Sequence, residues 1–479
     1  MGLNRIDLLI IALYLAGITL FGLRFRKGQR TMRDYFLADR DIPWWAISLS
    51  IVAAETSTLT IISIPGLAFD TNLGFLQVVF GYLLGRVIIS AIFIPQYFRG
   101  EMYTAYQLIE RRFGRTLHSL TAGLFLLTRA AAEGVRVFAV SIVIAIAIGT
   151  GEVASIAIIT LLTMIYTFEG GMAAVIWTDV VQLAIYVGGT LVGFFTILRA
   201  LPGGWATVHN VADAAGKFRV LDFAPVLHKT YTFWAGIIGG TFLTTASHGT
   251  DQLMVQRLLS ARSQRQSQTA LLASGVAVFF QFALFLVVGV MLFVFYAGAR
   301  PPGSSDRIFP TFIVQQMPHG ISGLLIAAIL AAAMSNLSAA LNSLSSTSIV
   351  DFYLRRNPAT SEARRLAVSR GATILWALAL FGLALLSRHS GRVVEVGLSI
   401  ASVAYGALLG VFLLGVLTRR ANQRGAIVGM ACGLAIEIYI WTATHIPWTW
   451  YVVIGTAITF VVGYVVSAVF AESQEPRPA

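Results

Sequence analysis

The chain has 479 residues, 57% of them hydrophobic and only 12% charged, with a mean hydropathy of +0.78. Soluble domains carry roughly twice that share of charge, so the composition excludes a water-soluble globular protein and leaves no room for a sizeable soluble domain. The net charge of +12 raises nucleic acid as a partner, but its placement along the chain, described below, excludes that reading.

Apolar stretches long enough to cross a bilayer recur from one end to the other. The first, Asp7 to Leu23, precedes the basic residues Arg24, Arg26, Lys27 and Arg30 and shows no small-residue cleavage site. It reads as a spanning helix with its N-terminus outside rather than a signal peptide. Twelve more spans follow, at 42–69, 73–95, 117–149, 152–171, 174–200, 233–257, 269–297, 321–350, 371–388, 393–417, 425–444 and 449–470. With thirteen spans, the loops at 24–41, 96–116, 257–268, 351–370 and 418–424 fall on the cytoplasmic side together with the C-terminal tail. Those segments hold most of the 34 Lys and Arg residues, the positive-inside pattern that accounts for the basic charge. Arg86, Arg129 and Arg136 fall within spans. The longer external loops, 201–232 and 298–320, contain Pro202-Gly203-Gly204 and Pro301-Pro302-Gly303 and are expected to be connections with a short helix. The one cysteine, Cys432, lies in an apolar stretch and forms no intrachain disulfide.

Residues 42–200 and 233–417 form two blocks of five spans, with one extra helix before them (7–23) and two after (425–470). Blocks with an odd number of spans invert when placed in tandem. The leading span of each block is interrupted by polar residues about a dozen positions in: Ala53-Ala54-Glu55-Thr56-Ser57-Thr58 in the first, with Pro65-Gly66 further on, and Thr244-Thr245-Ala246-Ser247-His248-Gly249-Thr250-Asp251-Gln252 in the second. Carboxylates and polar backbone at mid-membrane depth are costly unless they line a cavity. Interrupted segments at matching places in two halves point to a transporter's central site. The competing explanation is helix packing by Ser and Thr, which serves for one span better than for two that each carry a carboxylate.

At these residues a resemblance enters. Asp34-Tyr35-Phe36-Leu37-Ala38 with Pro43-Trp44-Trp45, Tyr103-Thr104 with Arg112-Phe113-Gly114, TFEGGMAAVIWTDVVQ at 167–182, DQLMVQR at 251–257 and AAAMSNLSAALNS at 331–343, with Asp351 and Tyr353 after it, resemble the sodium:solute symporter family. The resemblance runs from residue 34 to about 424. It implies an all-α polytopic membrane protein of LeuT type with a five-plus-five inverted repeat, alternating access and sodium as the coupling ion. Matched motif to motif, the family's sodium ligands fall on the carbonyls of Ala53, Thr56 and Ala332 and on the side chains of Ser335 and Asn336. The family usually has Ser or Thr where Asn336 stands. A second sodium, bound by some members, would fall on Asp179, Ser335 and Ser338; Ala339 lacks the hydroxyl that some of them add.

The resemblance places substrate contacts at Glu55, Ser57, Thr58 and Thr60, at Gln77, and at Asp251. His248, one turn before Asp251, reads equally as a structural residue or a ligand. Arg129, Glu133 and Arg136 share one helix face at i, i+4 and i+7. They read either as a self-neutralised packing cluster or, because the net charge is +1 and the family's sialic-acid members grip a carboxylate with an arginine from this span, as an anion site.

The glycines from Gly236 to Gly240 are interhelical packing signals, since no GK[ST] follows. No His/Cys cluster indicates a metal enzyme and no nucleophile–base pair a catalytic one. Sodium-coupled uptake of a small polar solute (organic acid, sugar, amino acid or vitamin) by a monomer in the plasma (inner) membrane is the leading expectation, with no cofactor. A proton-coupled or uncoupled carrier using Glu55 and a membrane solute sensor remain the alternatives; no output domain after residue 470 speaks for the sensor.

Overall fold

A computed structural model describes residues 3–24, 38–99, 105–166, 172–357, 359, 361–389 and 392–470. The motif residues Asp34 to Leu37, Tyr103-Thr104 and 167–171 lie outside the described residues. The principal helices are α1 (Arg5–Leu23), α2 (Trp44–Glu55), α3 (Thr58–Asp70), α4 (Leu76–Tyr97), α5 (Arg115–Ile148), α6 (Glu152–Tyr166), α7 (Met172–Ala200), α8 (Gly240–Gly249), α9 (Gln252–Leu259), α10 (Gln264–Phe295), α11 (Ile321–Thr347), α12 (Glu362–Leu386), α13 (Val393–Leu417), α14 (Gln423–Ala443) and α15 (Tyr451–Val469). No strand occurs among the described residues.

Eight of these helices are individually long and apolar enough to span a bilayer, and the bent pair α2–α3 makes a ninth span. The other expected spans coincide with α1, α6, the α8–α9 pair and α12, so the thirteen-span count remains a reading of the sequence. Large apolar side chains such as Leu13, Leu127, Phe280 and Trp441 are exposed. On a helix inside lipid that exposure carries no hydrophobic penalty. At 34 residues, α5 is roughly 50 Å long at 1.5 Å per residue, well beyond the hydrocarbon thickness. The long loops 201–232 and 298–320 each contain the expected short helix, Trp205–Ala214 and Ile308–Gln316.

The broken helices sit at the centre. α10 packs along α2, α3 and α4; α4 packs on α8; α5 contacts α6, α11, α12 and α13. Glycines permit the closest approaches. A Cβ on Gly81 would collide with the backbone of Gly236 and Gly240, and one on Gly289 with the Pro65 carbonyl. The extra helix α1 lies against α7 and α11. Its Asp7, fully buried, accepts hydrogen bonds from the Gly320 and Gly323 amides (2.7 and 3.1 Å) at the N-terminus of α11 and from His319 Nδ1 (2.9 Å). A carboxylate there satisfies orphan amides and complements the positive helix end. At the C-terminal end of α3, Ser63 donates to Asp306 (2.5 Å), whose other oxygen accepts the Val393 amide (3.1 Å), and Arg392 pairs with Asp70 (3.0 Å). These contacts tie α3 to the start of α13.

Candidate functional site

The sequence interrupts its first repeat helix with Glu55-Thr56-Ser57-Thr58, and the chain unwinds there. α2 ends at Glu55, α3 starts at Thr58, and the two axes differ by 63°. Thr56 and Ser57 leave the helical region (ψ 64° and 169°). Ending a helix strips its last-turn carbonyls of intrahelical donors. The Thr56 amide caps the Val52 carbonyl (2.8 Å), the Thr56 hydroxyl donates to that same oxygen (2.6 Å), and Thr60 Oγ1 reaches across the break to the Glu55 carbonyl (3.1 Å). None of these donors reaches the Ala53 carbonyl. Gln281 Nε2 of α10 donates to Thr56 Oγ1 and fixes the break from outside. Carbonyls at the negative end of a half-helix suit a hard cation.

Beside the break lies a narrow cavity of about 10 Å³, measured as room for the centres of water-sized spheres. Ser57 and Thr58 face it from the break, Glu133, Arg136, Val137 and Val140 from α5, Ile159 from α6, and Ala333, Asn336 and Leu337 from α11. The structure thus brings together the break, Asn336 of the expected sodium set and the charged face of α5. Ala332 and Ser338 are buried on the same helix; the Ser335 side chain is not among those described. The charged face is one network. Arg136 Nη1 donates to Glu133 Oε1 (2.8 Å), and Arg129 Nη2 forms an ion pair with the same oxygen (2.9 Å). The Arg129 and Glu133 side chains are 10% and 1% exposed, whereas Arg136 is 29% exposed and is the guanidinium that lines the cavity. Arg129 instead interacts with the charge of Asp251 and with Tyr106 and Tyr405.

The second break falls inside the expected polar run, near its C-terminal end. α8 continues through Gly249, and the chain leaves the helix at Thr250-Asp251. Thr245 and Thr250 hydroxyls donate back to the Thr241 and Ala246 carbonyls (2.7 and 2.8 Å), so polar residues in this stretch are absorbed by the helix itself. Asp251 N-caps α9, its Oδ1 accepting from the Leu253 amide (2.9 Å), and Oδ2 accepts from Tyr405 Oη of α13 (2.9 Å). Tyr405, a residue that the polar-run argument does not single out, is therefore the α13 contribution to this site.

Several expected substrate contacts are engaged elsewhere. Glu55 pairs with the buried Arg86 of α4, and His248 Nε2 stands 3.5 Å from the same carboxylate oxygen. Arg86 also donates to Ser274 Oγ and the Tyr82 carbonyl, both at 3.2 Å. Gln77 donates to the Gly74 and Tyr231 carbonyls (3.1 and 3.2 Å) and accepts from the Asp222 amide (2.9 Å); it fastens the 201–232 loop to α4. Thr60 bridges the break. Asp179 Oδ2 accepts from Ser50 Oγ (2.6 Å) and Arg257 Nη2 (3.0 Å), and Arg257 Nε donates to Ser50 Oγ (3.0 Å). In this arrangement the Arg257 guanidinium is the counter-ion of Asp179. An arginine inside an apolar span requires an anionic partner, and that signal was present at Arg86 and Arg257.

The family profile of the Sodium:solute symporter family matches residues 35–433. The chain belongs to this family. It is 30% identical to the sodium/sialic acid symporter of Proteus mirabilis over 475 residues, covering 96% of this chain and 95% of that one. It is 27% identical to the human sodium/iodide cotransporter over 443 residues, 90% of this chain and 68% of that one. A solved substrate-bound, outward-open structure of a Na+-coupled sialic acid symporter superposes with a TM-score of 0.85 at 28% identity, covering 98% of each chain. The protein is a multi-pass membrane transporter of LeuT-type fold, not an enzyme, and couples a small solute to sodium.

Proposed function

We propose that this symporter carries a small organic anion, held at Arg136, together with sodium bound between the helix break and α11. The observation that carries this reading is the placement of Arg136. It is the guanidinium on the cavity, its α5 network has one positive charge in excess, and the cavity also contains Ser57, Thr58 and Asn336. A guanidinium matches a carboxylate with two parallel hydrogen bonds. The relatives named for sialic acid and iodide carry anions, which supports the same charge preference.

Sodium takes the carbonyls of Ala53, Thr56 and Ala332 with the Ser335 hydroxyl and the Asn336 amide oxygen, a donor set of hard oxygens. Sodium entering down its gradient orders the break, the anion then binds, and rocking of residues 42–200 against 233–417 releases both inside. The protein works as a monomer in the plasma membrane, with its N-terminus outside and its C-terminus cytoplasmic. Glu55, the group that would carry a proton in a proton-coupled alternative, serves instead as the counter-ion of Arg86.

The test is uptake of radiolabelled lactate into proteoliposomes under an inward sodium gradient, with unlabelled competitors. Other monocarboxylates are expected to compete and galactose is not. Competition by galactose without competition by any carboxylate overturns the anionic assignment.

A further inference from the structure

We infer that the solute carries a hydrogen-bond donor on the carbon next to its carboxylate, a 2-hydroxy or 2-amino acid, and that Glu133 is the residue that selects it. The inference rests on the reading of Arg136 as the anion ligand. Its own evidence is the use of the two Glu133 oxygens. Arg136 donates to Oε1 at 2.8 Å, and Arg129 pairs with the same oxygen as an ion pair at 2.9 Å. Oε2 is buried and accepts no hydrogen bond. A buried carboxylate oxygen without a donor is costly and rare in native proteins, and this one belongs to a side chain that lines the cavity.

Arg136 donates one N–H to Glu133 and has others to offer, since a guanidinium carries five. A carboxylate gripped by Arg136 therefore comes to rest beside Glu133, one helical turn away. If the ligand is a plain carboxylate, two acceptors face each other across that gap and repel. If the adjacent carbon bears a hydroxyl or an ammonium, that group donates to Oε2 while the carboxylate keeps its bonds to Arg136. One ligand then satisfies both the excess positive charge and the orphan oxygen. Val137, Val140, Ile159, Ala333 and Leu337 form the aliphatic part of the lining, opposed by the polar Ser57, Thr58 and Asn336. The aliphatic part suits a short hydrocarbon side chain.

Discrimination follows from the same asymmetry. A site built to pair with a donor rejects the analogue lacking it, because its own polar atom is left buried and unpaired.

The experiment measures the thermal unfolding of the purified full-length protein in sodium, titrated with propionate, lactate and alanine, which share a three-carbon skeleton. The concentration of lactate or alanine that half-saturates the stabilisation is expected to be at least about tenfold lower than that of propionate. Equal potency of all three overturns the selection by Glu133 and leaves the Arg136 assignment standing. No stabilisation by any of the three, with stabilisation by galactose, overturns both. In Glu133→Gln the preference for alanine over propionate is expected to fall by about tenfold, because the amide keeps an acceptor but no charge. An unchanged preference in a variant that still unfolds cooperatively removes Glu133 from the role. Should that variant not fold, the comparison on the unaltered protein decides.

Discussion

Replacing Arg86 by Met separates a structural ion pair from a transport group. The Arg86 and Glu55 side chains are 1% and 12% exposed, so the substitution leaves a carboxylate with its principal counter-ion removed and little water to replace it. Breaking a buried pair from one side costs about 3–5 kcal/mol. Arg86 also loses its bonds to Ser274 and the Tyr82 carbonyl, each worth about 1 kcal/mol. Glu55→Gln alone strands the guanidinium and is expected to cost a similar 3–5 kcal/mol. The double variant removes both charges, so it is expected to be less unstable than the sum of the singles by about 2–3 kcal/mol. Denaturant or thermal unfolding in detergent micelles, run as a complete cycle, measures this. A cycle that is additive within about 0.5 kcal/mol refutes the pairing. It returns Glu55 to the list of groups free to contact solute or carry a proton.

The remaining predictions concern the site and the 201–232 loop. Ser335→Ala is expected to weaken sodium stimulation and raise the solute concentration needed for uptake in liposomes; full sodium stimulation would show that the cation sits elsewhere. Arg136→Gln is expected to raise the half-saturating concentration of a transported carboxylate by at least about tenfold, one charge-assisted hydrogen bond's worth, and unchanged affinity removes the anion from Arg136. Asp251→Ala deletes the α9 cap and the Tyr405 partner, and is expected to cost about 1–3 kcal/mol in unfolding experiments. On the 201–232 loop, the hydrogen bond from Lys229, helped by the Ala224 amide, holds the Asp222 carboxyl below its ordinary 3.8. The folded form therefore binds this proton less readily than the unfolded one, so the pair's contribution is complete above about pH 4 and fades as the pH falls through the lower, folded value. Asp222→Asn is expected to flatten that acid limb of the stability profile, and an unchanged limb would show that the pair contributes nothing.

The first break could be read from sequence because a carboxylate and three hydroxyl residues interrupt an apolar span within four positions. The second falls only at the far end of its polar run for a physical reason: Thr245 and Thr250 return their hydroxyls to carbonyls one turn back, so hydroxyl content alone does not mark where within the run the helix ends. The α5 network was visible in the i, i+3 and i, i+4 spacing of Arg129, Glu133 and Arg136, because a helix dictates which side chains meet. The partners of Glu55, Gln77 and Asp179 were not, since Arg86, the 222–231 backbone and Arg257 lie 31 or more residues away and only tertiary packing joins them. For the same reason Tyr405 escaped notice until α13 was seen against Asp251.

Sodium-linked carboxylate binding tests the account most directly. Calorimetric titration of the purified protein with a transported carboxylate at several sodium concentrations, and with sodium at several carboxylate concentrations, measures the coupling in both directions at fixed pH. The account predicts that each ligand tightens the other by the same factor, as linkage through one shared cavity requires. Carboxylate affinity that ignores sodium and follows pH instead would contradict it.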